Sequence, residues 1–382
     1  TTGQPVIADG LYERAGLYTR AVAWCLEHFG DSAVSARIPA LAAAAVLVLL
    51  VGSWLARCAG LMAGLSAGLL LAIVPSTLDV AVFARFYTFH AVVITLLGIV
   101  AYEAGSTRRS VQYLGFSLLG ALALAALGWH FQETTIIALG AICVGLASIL
   151  LHRHWTAFTS LLERRPALML SSFVVLAGCA VIGLSASGLL QTFRTTAPWA
   201  ARDAGRFQFY LTILRDDLPL LWPLLPAAAA YSMARGGHRL LALFSTAVVA
   251  SALLVHSIAA QKTMRYVFYL LPWMTIVWAL ALARLFGVLR AQGARFAIAG
   301  LVALAAMVLL SREGARALNL LVGRTSSVDS RPFRDEPDWT PMARMLAPRI
   351  TASDRIITSN SMKALYYIGR YDLELNATIV PE

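Results

Sequence analysis

Charge is scarce in this chain. Asp, Glu, Lys and Arg make up 13% of its 382 residues, against about 25% in a typical soluble domain, which excludes an ordinary soluble globular protein of this length. Cysteine is scarce too. Cys25, Cys58, Cys143 and Cys179 show no paired spacing, so neither a disulfide framework nor a zinc site follows from them. Cys143 and Cys179 lie in apolar runs, where cysteine serves as a small hydrophobe. Missing altogether are a Gly-rich phosphate loop, a Ser-His-Asp arrangement and metal-binding cysteine spacing. The first of these absences argues against a chain that consumes nucleotide itself. No internal repeat of the inverted-repeat transporter kind is visible. No basic, aromatic-interleaved soluble domain exists through which the net charge of +11 would engage nucleic acid. The chain opens on Thr1 without an initiator Met or a signal-like segment, and is expected to be a piece of a longer protein.

Apolar residues fill the space that charge leaves. They make up 59% of the chain, and mean hydropathy is +0.71. Thr1–Gly30 reads as an interfacial amphipathic segment: Leu11, Ala15, Tyr18, Val22 and Leu26 recur at helical spacing among Glu13, Arg14, Arg20 and Glu27. The first span is Ala36–Leu55, about 20 residues at ~1.5 Å each against a ~30 Å hydrocarbon core. Ala59–Val74, Val80–Tyr102, Val111–Leu127, Thr134–Leu151 and Ala167–Leu189 follow, then Leu218–Met233, Leu240–Ile258, Tyr266–Ala283 and Phe296–Leu310. Ala59–Val74 is short and ends at Pro75, so it is expected to be tilted, bent or partly re-entrant. About ten crossings make this an all-α polytopic membrane protein.

Loop charge sets the orientation. One set of connections carries Arg57, Arg108, Arg109, Arg153, Arg164, Arg165, Arg235, Arg239, Arg284, Arg290 and Arg295, whereas the opposite short loops carry only Arg85, Lys262 and Arg265. Cytoplasmic loops accumulate Lys and Arg, so Thr1–Arg37, the long loop Gln191–Asp217 and the C-terminal tail are assigned to the outside. The expected organisation is an outer segment with a surface helix over 1–35, and a transmembrane domain over 36–311 with a long outer loop at 190–217. A small extracytoplasmic α/β region over 312–382 completes it. In that last region Asp338 is placed to cap a helix running through Leu346, Arg355–Thr358 reads as a strand, and Ser361–Ile368 reads as a helix.

The cations on the sparsely charged side are the candidate functional residues. Arg85, in Ala84-Arg85-Phe86-Tyr87, stands at the outer end of a span. Its guanidinium matches phosphate oxygens with two parallel donors, and it equally suits interfacial anchoring beside Phe86 and Tyr87. Lys262 and Arg265, three apart and followed by Tyr266, are expected on one helix face, where they can clamp a phosphate. His130 and Glu133, in Trp129-His130-Phe131-Gln132-Glu133, suit a metal, a sugar hydroxyl or an aromatic belt. Asp79 is either the partner of Arg85 or a site acid. His90 and His256 lie deeper and read as packed polar residues facing neighbouring helices. The long outer loop, with Trp199, Arg202, Asp203, Arg206, Asp216 and Asp217, is long enough to act as a lid or acceptor site.

Several of these segments, taken in series, carry a family resemblance. Phe29-Gly30-Asp31-Ser32-Ala33 and Ala36-Arg37-Ile38-Pro39-Ala40 resemble the motif that leads into a transmembrane span in bacterial GT-C membrane glycosyltransferases. These are the family 39, protein-mannosyltransferase-like and aminoarabinose-transferase-like enzymes. Pro5–Tyr18 looks like the surface-helix segment before it. Ala84-Arg85-Phe86-Tyr87 resembles an R-x-Y element, and Arg265-Tyr266 with Leu271-Pro272 a later RY…P span. Asp338-Trp339 and Ala364-Leu365-Tyr366-Tyr367-Ile368-Gly369 resemble the extracytoplasmic tail. The resemblance implies a bacterial inner-membrane glycosyltransferase of the cell envelope. It implies an inverting, nucleotide-independent transfer at the outer face, with a polyprenyl-phosphate sugar as donor and a lipid, protein or glycan as acceptor. A divalent cation is the one cofactor it leaves open. Family members carry an acidic pair, the presumed general base, in the first outer loop. Asp9 and Glu13 do not fit that place, so the base is expected upstream of Thr1 and the chain as given is expected to be inactive. Two other classes remain in view. A flippase or transporter of an anionic lipid predicts polar residues at mid-membrane depth, and a non-catalytic assembly subunit predicts outer cations that can be replaced without loss of ligand binding.

Overall fold

The structure, a computed structural model, describes residues 6–7, 10–11, 15–83, 85–106, 110–164, 205–234, 237–260, 262–311, 314–315, 318, 344–351, 353–358 and 373–374. The chain divides into two compact units, 14–322 and a smaller one made of 1–13 with 323–382. In the smaller unit, β1 (Val6–Ile7) pairs antiparallel with β2 (Gly10–Leu11), and β3 (Ile357–Thr358) pairs parallel with β4 (Leu373–Glu374). The expected strand therefore shortens to its last two residues. Asp338, Trp339 and the helix expected over 361–368 lie outside the described residues.

The larger unit is helical and follows from uninterrupted apolar sequence. After α1 (Gly16–Phe29), Ser32 caps α2 (Ala33–Ala59) by accepting from the Ser35 N–H at 3.1 Å. Gly60, at φ +92°, turns the chain directly into α3 (Leu61–Ile73). Pro75 then supplies no N–H and holds Val74 extended at ψ 123°, so α3 stops and α4 (Pro75–Val82) leaves it at 59°. There follow α5 (Tyr87–Ser106), α6 (Val111–Phe131), α7 (Thr135–Arg153) and α8 (Trp155–Arg164). Beyond residue 204 come α9 (Phe209–Asp217), α10 (Leu221–Ala234), α11 (Arg239–Ile258), α12 (Met264–Gln292, with a 3₁₀ step at Phe268–Leu270) and α13 (Ala294–Leu310).

Six of these helices, α2, α5, α6, α7, α11 and α12, are long and apolar enough to cross a membrane, or seven if the bent α3–α4 pair is counted as one span. The chain is a mostly helical polytopic membrane protein. The expected number of spans needs correction among the described residues. Val80–Tyr102 is not one span, because α4 ends at Val82, Phe83, Arg85 and Phe86 are not helical, and α5 begins only at Tyr87. Leu218–Met233 becomes a 14-residue helix, about 21 Å long at ~1.5 Å per residue and short of the hydrocarbon thickness. Ala167–Leu189 lies outside the described residues. The surface-helix reading shifts as well: Leu11 belongs to β2, and α1 buries Tyr18 and Cys25 while Arg20 and Glu27 stay in solvent.

Two close approaches hold the helices in place. A Cβ on Gly64 of α3 would strike the Ala56 side chain and, at 2.5 Å, the Gly52 carbonyl of α2, so these two helices pack backbone to backbone. A Cβ on Gly98 of α5 would enter the Trp273 ring of α12. Around that ring, Trp54, Tyr102 and Phe244 close a four-membered aromatic cluster with centroids 5.4–6.5 Å apart, tying α2, α5, α11 and α12 together. Gly64→Ala is expected to lower stability by about 1–3 kcal/mol, read as a lower midpoint of thermal unfolding in detergent. An unchanged midpoint would show that α2 and α3 separate freely.

Candidate functional site

The site grows from two breaks in helical regularity at one end of the larger unit. The first follows α4. Phe83 is extended, and the Arg85 N–H donates to the Phe83 carbonyl at 2.6 Å in a tight turn. This turn, rather than a helix, carries Arg85, and it leaves the side chain exposed with its Cζ 5.6 Å from the centre of the Phe83 ring. The second break follows α11, where Thr263 is extended (φ −161°, ψ 146°) before α12 begins. Arg265, on the first turn of α12, reaches across to the first break. Its Cζ lies 5.7 Å from Phe83 and 5.6 Å from Tyr87, and its Nε donates to Thr263 Oγ1 at 3.4 Å. Phe83 and Tyr87 are stacked at 6.3 Å and 12°. Two guanidinium groups from sequence positions 180 residues apart thus gather at one ring. Each gains a cation–π attraction of about 0.5–1 kcal/mol, and the two positive charges raise the local potential that an anion would meet at this end of the unit.

The other expected site residues distribute unevenly. Lys262 and Arg265 do not share a helix face, a correction with a clear cause: Lys262 lies outside α12 and the extended Thr263 separates it from the helix, so the i, i+3 geometry never forms. Lys262 is 4% exposed and donates to the Ala259 carbonyl, whereas Arg265 points to the aromatic pair. Tyr266 is half-buried on the first turn of α12. Asp79 is half-buried on α4, one turn before Phe83. His130 sits at the end of α6, where its Nε2 accepts the Leu17 N–H at 3.4 Å, engaging the otherwise uncapped start of α1. Glu133 is exposed in the following loop. Among the described residues no three His, Cys, Asp or Glu side chains group as metal ligands. Of the long outer loop, residues up to 204 lie outside the described ones; Asp217 is 5% exposed and accepts from Ser76 Oγ at 3.3 Å.

Beneath Arg265 runs a buried polar ladder. Tyr210 of α9 uses its hydroxyl twice, accepting the Thr263 N–H at 3.2 Å and donating to the Thr263 carbonyl at 3.3 Å. Its ring edges onto His256, whose Nε2 lies 3.0 Å from the Tyr269 hydroxyl. Tyr269 edges onto His90, and His90 Nε2 lies 2.9 Å from Thr135 Oγ1. His90 and His256 therefore face neighbouring helices, as their positions in the sequence imply. Each lies near the Arg265 end of its helix. Burial pushes the Tyr210 phenol well above its ordinary range, which keeps it neutral and able to serve as both donor and acceptor.

Sequence reasoning missed a second feature of this end. Among the described residues Tyr18 Oη, Thr77 Oγ1, Thr88 Oγ1, Thr134 Oγ1 and both side-chain amide atoms of Gln132 are buried without a hydrogen-bond partner. Each such group costs about 1–3 kcal/mol if it stays unmet. The Tyr18, Phe89 and Phe131 rings link α1, α5 and α6 here at 5.5 and 5.9 Å. Burial raises the Tyr18 phenol, and the positive charge of Arg85 partly opposes that rise. Nothing in the sequence marks these residues, since Thr, Tyr and Gln at helix ends look ordinary until burial is known.

No family model and no curated protein matches the chain. Solved structures do. ArnT from Cupriavidus metallidurans bound to undecaprenyl phosphate aligns with a TM-score of 0.64 at 16% identity, over 96% of this chain and 77% of that one. The apo state of the same protein aligns with a TM-score of 0.62 at 16% identity, over 96% and 76%. This chain has the fold of the ArnT structures.

Proposed function

We propose that this protein transfers a sugar from a polyprenyl-phosphate donor to an acceptor at the outer face of the membrane, by an inverting route that consumes no nucleotide. The observation that carries this reading is the convergence of Arg85 and Arg265 on Phe83 and Tyr87, in a fold shared with an ArnT structure that holds undecaprenyl phosphate. As the glycosyl bond breaks, negative charge collects on the departing lipid phosphate. Cations already fixed at that point lower the barrier without reorganising. In this reading the two arginines hold the phosphate, and Lys262 stiffens the segment that presents Arg265. The unpartnered Tyr18, Gln132, Thr77 and Thr88 groups receive hydroxyls of the sugar or acceptor. A site placed at one end of the helices suits transfer at an interface better than transport, which calls for polar groups at mid-depth.

Binding measured in nanodiscs tests this directly. Polyprenyl phosphate is expected to bind at least about a hundredfold more tightly than the uncharged polyprenol of the same length, since each charge-assisted contact contributes about 1.5–3 kcal/mol. Equal affinity for the two lipids would refute the assignment.

A further inference from the structure

A second charged site lies at the opposite end of α12. Arg284 follows Arg265 on the same helix by 19 residues, about 28 Å at ~1.5 Å per residue. Arg284 lies over the Tyr231 ring at 4.2 Å and donates from Nη1 to the Tyr231 carbonyl, which does not exhaust the five donors of a guanidinium. It lines a cavity of about 240 Å³ together with Ser232, His238, Gly237 and Leu280. Ser232 is 7% exposed, and its hydroxyl has no hydrogen-bond partner among the described residues. The N-terminal end of α11, whose His238 makes no side-chain cap, borders the same space. A cation, an unmet hydroxyl and a positive helix end around one cavity recognise an anion.

The neighbouring cavity supplies the rest of the ligand. About 200 Å³ of purely apolar space lies between α10, α11 and α12, lined by Trp222, Leu225, Ala229, Val249, Leu253 and Val277. Ala229 and Ser232 are one turn apart on α10, and Val277 and Leu280 one turn apart on α12, so the two cavities neighbour each other along these helices, with lining residues roughly 5 Å apart. A headgroup site stacked on a chain site fits a lipid rather than a free ion. Residues 281–295 and 237–240 hold Arg239, Arg284, Arg290 and Arg295 and not one Asp or Glu, which favours net negative charge over a zwitterion. We propose that α10, α11 and α12 hold an anionic phospholipid, its phosphate on Arg284 and Ser232 and an acyl chain in the apolar cavity. This site is separate from the one at Arg85 and Arg265 and does not depend on its function.

The test uses the whole delipidated chain carrying Arg85→Ala and Arg265→Ala, so that only the second site reports. Phosphatidylglycerol, phosphatidylcholine or inorganic phosphate is added in detergent, and binding is followed by native mass spectrometry and thermal unfolding. Phosphatidylglycerol is expected to bind about tenfold more tightly than phosphatidylcholine and to raise the unfolding midpoint. Arg284→Gln is expected to weaken it by about tenfold, in line with one lost charge-assisted contact. Ser232→Ala removes only an unmet hydroxyl, so it holds or raises the unliganded midpoint while weakening phosphatidylglycerol severalfold. Unchanged phosphatidylglycerol binding in both variants, or equal binding of the two lipids, would overturn the proposal. A full response to inorganic phosphate alone would overturn the lipid assignment and leave a free-anion site.

Discussion

Replacing Arg85 and Arg265 together by alanine is expected to weaken polyprenyl-phosphate binding by about 10²–10⁴-fold, the largest change any pair of substitutions in this chain should produce. The magnitude follows from two charge-assisted contacts of about 1.5–3 kcal/mol each, at about 1.4 kcal/mol per decade. Singly, each should cost more than half of the combined loss, because both guanidinium groups gather at the Phe83 ring and share one anion, which makes their effects non-additive. Titration in nanodiscs at low and at physiological salt supplies the check. Arg85 is exposed and Arg265 half-buried, so salt should weaken the Arg85 contribution more; the Debye length is about 8 Å at 0.15 M. Retained affinity in the double variant would return both residues to interfacial anchoring.

The second large effect belongs to an uncharged residue that holds the segment carrying Lys262 and Arg265. Tyr210→Phe keeps the buried ring but removes the hydroxyl that meets the Thr263 N–H and shares the Thr263 carbonyl with the Tyr266 N–H. Leaving the buried Thr263 N–H unmet costs about 1–3 kcal/mol, and the structure can recover much of this by letting the segment from Lys262 to Arg265 swing outward. The expected result is therefore twofold. Lys262, 4% exposed in the wild type, should become reactive toward an amine-modifying reagent. Polyprenyl-phosphate affinity should also fall by about tenfold or more, because Arg265 loses its fixed base. A purely structural role for Tyr210 would lower the unfolding midpoint while leaving Lys262 protected, and that outcome would separate Tyr210 from the site.

Much of the fold was legible before any coordinates. Helical crossings follow from long apolar runs with few charges, because a backbone in hydrocarbon must satisfy its own hydrogen bonds. Pro75 announced the bend after α3, and the loop charges picked out Arg85 and Arg265. Each of these signals is local, carried by a residue and its immediate neighbours. Lys262 shows where local reasoning fails. A spacing of three implies a shared helix face only if the helix has already begun, and here α12 starts after Thr263 because Tyr210, half a hundred positions earlier, holds Thr263 extended. The span expected at Val80 fails similarly, since the break between α4 and α5 lets Phe83 stack on Tyr87 and meet Arg265, a contact invisible along the chain.

The sequence by itself determined that this is a polytopic helical membrane protein and which of its cations stand apart from the loop arginines, because hydropathy and charge act residue by residue. Only the tertiary structure decided which of those cations meet, that Lys262 turns inward, and that Tyr18, Gln132, Thr77 and Thr88 lie buried with unmet polar atoms. Such outcomes depend on which helix ends pack together, and packing is a property of pairs of residues far apart in the chain rather than of any segment alone.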